Sequence, residues 1–263
     1  MALIEVGGVL ATTQRIPKYG GLQLTIDDLH HFAKQLLNGG IPMLLDHDER
    51  QRLQPQLRDV QVRQSDTGEY SELRVVMLVE ENEWERWGER RGFSISFYKN
   101  IKIYQPLSRP PFIGLGVEAF YFADDVVDTA ARQLLPNFNV ETARLYQLIE
   151  WIDVAKVTVD IVYDVLVNIQ GSLLYDVLRP FLSPSVPQED DQATPVPPMT
   201  EFVFKERLLD KRGRTVRKRT AILRTNSEEA LKNALDTFGG RSDKDLDICV
   251  YNEQNGNWEG LDK

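Results

Sequence analysis

The chain has 263 residues, 42% of them hydrophobic and 27% charged, which is enough apolar material to bury a core in one or two domains of ordinary size. A formal charge of −9 and an isoelectric point near 5.0 argue against a protein that wraps nucleic acid through its whole-chain field. The single cysteine, Cys249, excludes an internal disulfide; its place in the alternating run of Leu246, Ile248 and Val250 marks a buried thiol in a reducing compartment.

The N-terminus enters a strand-like run, Ala2 to Ala11, with no basic leader or small-residue cleavage site, as expected of a cytoplasmic protein. Gly7-Gly8 inside that run predicts a bulge or a close backbone approach. Thr25 then precedes Ile26, Asp27 and Asp28, apolar residues recur at Leu29, Phe32, Ala33, Leu36 and Leu37, and Gly39-Gly40 follows, which predicts a capped helix with a glycine stop. A short apolar run, Ile41 to Leu45, delivers Asp46-His47-Asp48. Strands are expected at Leu57 to Arg63 and Leu73 to Val79 around the turn Ser65-Asp66-Thr67-Gly68. A charged helix is expected from Asn82 to Arg91, with Trp84 and Trp87 on one face. In Gly92-Phe93-Ser94-Ile95-Ser96-Phe97-Tyr98 the alternation turns Phe93, Ile95 and Phe97 to one side and Ser94 and Ser96 to the other. After a proline-rich turn, Ile113 to Phe122 reads as a strand whose one charged residue is Glu118.

From Val140 to Leu182 the pattern is read as long helices, with Asp153, Lys156, Asp160, Asp164 and Asn168 as a narrow polar stripe on an apolar surface. Such a helix is either deeply buried or covered by a partner or a second copy of the chain. The uncharged part, Val165 to Tyr175, is too short for the roughly 20 residues of a membrane span. Proline and acid dominate Ser183 to Pro198, as in an exposed linker. Beyond it come two strands around Asp210-Lys211-Arg212-Gly213, a helix capped at Ser227, and two more strands with a turn at Asn255-Gly256. The expected class is α+β: a mostly-β, barrel-like domain with helices over 1–128, a helical segment over 129–184, a linker over 185–200 and a small ββαββ domain over 201–263. No repeat of sequence is apparent.

Three histidines limit the candidates for a neutral-pH base. His30 and His31 are neighbours on the capped helix and diverge by about 100 degrees, so they cannot serve one site. His47 closes an apolar strand at a polar lip, and Asp46 and Asp48, on the opposite face of an extended chain, are poorly placed to hold its ring.

Pro42-Met43-Leu44-Leu45-Asp46-His47 together with Gly92-Phe93-Ser94-Ile95-Ser96-Phe97 resembles the two signature segments of the prohead serine proteases that mature tailed-phage capsids, relatives in fold of the herpesvirus assembly proteases. Ser94 follows His47 by 47 positions and Glu118 follows Ser94 by 24, similar to the family's intervals. The resemblance covers roughly residues 1–124. It implies a barrel-like protease domain with Ser94 as nucleophile, His47 as base and Glu118 as third member, cleaving a capsid or scaffold protein, or itself, in the host cell's cytoplasm without metal or cofactor. At the third segment the chain departs from the family pattern, reading Val117-Glu118-Ala119-Phe120-Tyr121-Phe122. Ser96 shares a face with Ser94 and is the alternative hydroxyl. A catalytically inactive scaffolding or interaction protein on the same fold is the alternative function.

A basic cluster, Lys211, Arg212, Arg214, Arg217, Lys218 and Arg219, lies on the expected C-terminal hairpin. Glu201, Glu206 and Asp210 share that hairpin and no aromatic residue is interleaved for base stacking, so solvated strand charges are expected rather than nucleic-acid binding. No glycine pair has the context of a phosphate loop, and no cluster has zinc-ligand spacing.

Overall fold

The computed structural model describes residues 2–16, 22–39, 43–45, 48–53, 56–87, 93–104, 111–135, 137–147, 154–164, 171–185, 198–238 and 248–260. The fold is mixed α and β, with more strand than helix. Contacts divide the chain into two compact units, Met1–Phe97 with Gln147–Trp151, and Tyr98–Tyr146 with Ile152–Lys263.

The first unit contains β1 (Leu3–Thr12), α1 (Ile26–Leu37), β2 (Met43–Leu45), β3 (Asp48–Leu53), β4 (Gln56–Gln64), β5 (Ser71–Glu80), α2 (Glu81–Trp87) and β6 (Phe93–Ser94). Its strands form two three-stranded sheets, β1-β5-β4 and β3-β2-β6, with no closed ring among the described residues. From Leu73 onward the central strand β5 alternates, burying Leu73, Val75, Met77 and Val79, and α1 lies against β4 and β5 with Leu29, Phe32 and Leu36 buried. Thr25 starts that helix as the sequence predicts: its hydroxyl accepts from the Asp28 backbone N–H at 3.1 Å, and the Asp28 carboxylate accepts from the Thr25 N–H at 2.8 Å. The bulge expected at Gly7-Gly8 falls later, since β1 pairs regularly with β5 through both glycines and shifts register between Val9 and Ala11. At Gly7 an added Cβ would lie 3.5 Å from the Val75 carbonyl oxygen, an ordinary van der Waals contact rather than a close approach.

The second unit is built on one eight-stranded sheet. Its elements are β7 (Ser96–Tyr104), β8 (Phe112–Glu118), α3 (Asp124–Leu134), β9 (Asn139–Gln147), β10 (Val154–Asp164), α4 (Gly171–Leu178) with a 3-10 turn (Arg179–Leu182), β11 (Met199–Leu209), β12 (Thr215–Arg224), α5 (Glu228–Phe238), β13 (Ile248–Asn252) and β14 (Asn257–Gly260). The strand order is β14-β13-β12-β11-β10-β8-β9-β7. The pairs β8–β9, β10–β11 and β12–β13 are parallel, and each is joined by a connection carrying a helix, as parallel neighbours require. Three β-α-β units thus follow one another without any repeat of sequence. Helix α4 packs against both α3 and α5, so all three cover one face of the sheet. Beneath them, Val117, Val157, Phe202 and Leu223 are fully buried in a single core. Arg144 on β9 holds the β8-to-α3 connection by donating to the carbonyls of Ala119, at 3.1 Å, and Phe122.

The helical segment expected over 129–184, with its proposed partner-binding helices over 140–182, is corrected by this arrangement. Among the described residues of this segment only α3, α4 and the 3-10 turn are helical; β9 and β10 are strands. Six of the eleven residues of β10 are β-branched, which favours a pleated strand over a helix. The polar stripe misled because Lys156, Asp160 and Asp164 are four apart, an even spacing that fits one face of a strand as well as one face of a helix. Helix α3 begins five residues before the expected helical segment, where Asp124-Asp125 followed by Val127, Ala130, Ala131 and Leu134 carries the i, i+3, i+4, i+7 signal. The order β11-β12-α5-β13-β14 follows the expected ββαββ, but β11 pairs in parallel with β10 from Val154–Met199 to Asp164–Leu209, so these residues extend the middle sheet. Most of the linker, 186–197, lies outside the described residues. No described helix is long and apolar enough to cross a membrane.

Two measurements test this packing. A Cβ on Gly116 would come within 2.5 Å of the Tyr98 ring, so Gly116→Ala is expected to cost about 1–3 kcal/mol in urea unfolding, and Tyr98→Ala should relieve that cost. Tyr163 donates to Glu206 at 2.5 Å, and burial, then this bond to a carboxylate, hold its pKa well above the usual tyrosine value. A folded-state pKa raised above the unfolded one gives stability that is complete below about pH 10 and lost as pH climbs through the folded value. Tyr163→Phe should therefore cost about 1 kcal/mol at neutral pH, with the gap to wild type closing in strongly alkaline urea titrations.

Candidate active site

Ser94 ends the two-residue strand β6, which pairs antiparallel with β2 so that Ser94 stands opposite Leu44 and Phe93 opposite Leu45. The segment leading into His47 is therefore hydrogen-bonded to the segment that carries the serine. On its other side β2 pairs with β3, Leu45 opposite Asp48, the two residues that flank Asp46-His47. His47 itself lies outside the described residues, as do Asp46, Arg90, Arg91 and Gly92.

The local fold follows the alternation in the sequence. Ile95 and Phe97 are buried, Ser96 is half-buried and Tyr98 is exposed, so the apolar side of this run faces the core. Phe97 packs on Phe32 of α1 with ring centroids 4.9 Å apart, and Met43 and Leu44 are buried. A well-packed strand of this kind holds its hydroxyl-bearing positions in fixed register, which is what a nucleophile needs of its scaffold.

Glu118 ends β8 in the second unit and has no exposed surface. It and Lys156 are the next residues of their strands after the Val117–Val157 pair. Lys156 is opposite Glu201 on β11, and Glu201 is opposite Arg224 on β12. A row of alternating charges, Glu118, Lys156, Glu201 and Arg224, thus crosses four adjacent strands on the sheet face away from the helices. Lys156 and Glu201 are 2% and 1% exposed, with Lys156 Nζ 3.4 Å from Glu201 Oε1, and Arg224 Nε donates to Glu201 Oε2 at 2.6 Å. Reading Lys156 as part of a helical stripe hid this row; the two-residue alternation of Lys156, Thr158 and Asp160 with Val157, Val159 and Ile161 was the signal for it.

Two further polar clusters lie in the second unit. Asp128 on α3 accepts from Tyr104 at 2.6 Å and from Lys102 at 3.0 Å, and these bonds hold its pKa below the usual carboxylate range. An open groove of about 830 Å³ beside α4 is lined by Asp176, Arg179, Asn226 and Glu228 among others, but Arg179 and Glu228 satisfy each other at 3.0 Å. Neither cluster pairs a nucleophile with a base.

Searches against protein-family models, curated proteins and solved structures find no match to this chain.

The buried row makes a direct prediction. Removing one member of a buried ion pair leaves the other uncompensated, so Lys156→Met is expected to destabilise the chain by about 3–5 kcal/mol in chemical denaturation, more than Lys156→Met combined with Glu201→Leu.

Proposed function

We propose that the chain is a serine endopeptidase of the prohead-protease type, with Ser94 as nucleophile and His47 as general base. The observation that carries this reading is the pairing of β2 with β6, which brings the two motif segments onto neighbouring strands, Leu44 opposite Ser94. In this reaction the imidazole takes the Ser94 hydroxyl proton as the oxygen attacks a peptide carbonyl. The tetrahedral intermediate collapses, the C–N bond breaks and the proton passes to the leaving amine. Water, deprotonated by the same imidazole, then releases the acyl group and restores the serine.

The reading takes residues 1–128 as a barrel-like protease domain, the substrate as a capsid- or scaffold-like protein or the chain itself, and the setting as cytoplasmic. The resemblance nominates Glu118 as third member. Its buried place beside Lys156 gives it a structural occupation of its own, so the proposal rests on the Ser94 and His47 pair alone. That same occupation favours the second reading, an inactive protease-fold scaffolding protein.

A fluorophosphonate probe followed by mass spectrometry decides between them. Covalent label is expected on Ser94, absent in Ser94→Ala and slowed at least about a hundredfold in His47→Ala. Label on Ser96 or no label would remove the assignment, and the absence of label supports the inactive scaffold. If Glu118 orients the imidazole, Glu118→Gln slows labelling by about 10⁴; if it serves only the charged row, thermal stability falls while labelling persists.

A further inference from the structure

The last hairpin of the chain turns at Asn255-Gly256. Strand β13 pairs with β14 from Cys249–Gly260 to Asn252–Asn257, and residues 253–256 make the turn between them. Gly256 stands at φ 66°, a conformation open to glycine and strained for a side chain, and its N–H donates to the Asn252 carbonyl at 3.0 Å. Asn255 is exposed to water, yet both ends of its amide are bonded. Its Oδ1 accepts from the Asn257 N–H at 2.9 Å, and its Nδ2 donates to Glu259 Oε1 at 2.6 Å. The same Glu259 oxygen accepts from Asn252 Nδ2 at 2.9 Å, so one carboxylate on β14 holds the end of β13 and the tip of the turn together.

An asparagine followed by glycine is a chemically weak pair, because no side chain shields the next peptide nitrogen from the amide carbon. Once the Gly256 nitrogen has given its proton to hydroxide, it attacks Asn255 Cγ. The Cγ–Nδ2 bond breaks, and ammonia leaves with a proton taken from water. Water then opens the five-membered imide. Opening at Cγ gives aspartate; opening at the main-chain carbonyl carbon gives isoaspartate, whose main chain is one methylene longer. The sum is amide plus water to carboxylate plus ammonium. In the folded turn both partners in the attack are held, the nitrogen through its proton on the Asn252 carbonyl and the amide by Asn257 and Glu259, so reaction requires local opening. The product does not close the turn again. A carboxylate at position 255 has no N–H to offer Glu259, and it sets a second negative charge where the 2.6 Å bond was.

We propose that Asn255 is a self-modification site, a deamidation point that Glu259 holds shut and that, once reacted, leaves the β13–β14 hairpin loosened. What the hairpin secures is part of the core: Trp258 of β14 is buried, its Nε1 donating to the Ala234 carbonyl of α5 at 3.2 Å and its ring beside Phe204, Phe238 and Tyr251. The only co-reactant is water. The proposal is independent of the reaction assigned to Ser94.

The test is incubation of the full chain in mildly alkaline buffer, with peptide mapping by mass spectrometry to follow aspartate and isoaspartate at position 255. Asn38-Gly39, the other such pair in the sequence, lies at the end of α1 and reports any general loss of structure. Removing a hydrogen bond to a charged group frees the amide, so Glu259→Ala should speed reaction at Asn255 at least about tenfold while leaving Asn38 unchanged. Glu259→Gln, which keeps an acceptor, should stay close to wild type. In concentrated urea all three proteins should react at Asn255 at one common, fast rate. Asn255→Asp, the product made directly, should speed hydrogen exchange at the Tyr251 and Trp258 amides. Three results overturn the clamp: folded wild type reacting as fast as in urea, Glu259→Ala reacting no faster or more slowly, or equal acceleration at Asn38. Unaltered exchange in Asn255→Asp overturns the loosening.

Discussion

Four charged side chains on four neighbouring strands, Glu118, Lys156, Glu201 and Arg224, alternate in sign across the large sheet, and the register of the second unit depends on that row. A slip of one residue in any of these strands would turn its charge into the core beneath the helices and an apolar residue out of it. Breaking such a row is costly because each ion is out of water and relies on its neighbours. The row's contribution is therefore better described as selection of one pairing than as net stability. The parallel β10–β11 pair most needs such selection, because no tight turn fixes its register; its connection runs through α4, the 3-10 turn and the 185–200 segment.

The same partition of charge continues along β11 and β12 to the end of the hairpin. Among the described residues three carboxylates here are matched to a cation on their own or an adjacent strand: Glu206 with Arg219, Asp160 with Arg207, Asp210 with Arg214. Lys211 and Arg212 at the tip are exposed. Which charges on these strands are paired thus follows from the pairing of strands rather than from composition.

The first unit is organised differently. Its register is set by apolar alternation, with β5 buried at every second position from Leu73 onward between two antiparallel neighbours, and by a capped helix laid against β4 and β5. Beside it β2 brings the segment ending at Leu45 against Phe93-Ser94. That pairing joins positions about fifty residues apart, and it is the kind of long-range contact that a motif in sequence only implies.

Much of the local structure was legible because its signals are short-range. Thr25 with Asp28, the Ser65-to-Gly68 turn, the Asp210-to-Gly213 turn and the alternation around Ile95 and Phe97 each act within a few residues, where capping, turn chemistry and period-two burial depend on little beyond the neighbours. Ser94 and His47 became candidates through the resemblance of their two short segments to prohead-protease motifs, with His47 also marked as an imidazole at a polar strand end. The strand character of β10 was not, because a four-residue polar spacing satisfies two periods and only the partners on either side decide between them. Nor was the role of Glu118 or of the hairpin cations. A charge's environment is set by whichever residue the sheet brings opposite it, Lys156 for one and Arg219 or Arg214 for others, and that choice belongs to pairing between distant segments, which no local pattern encodes.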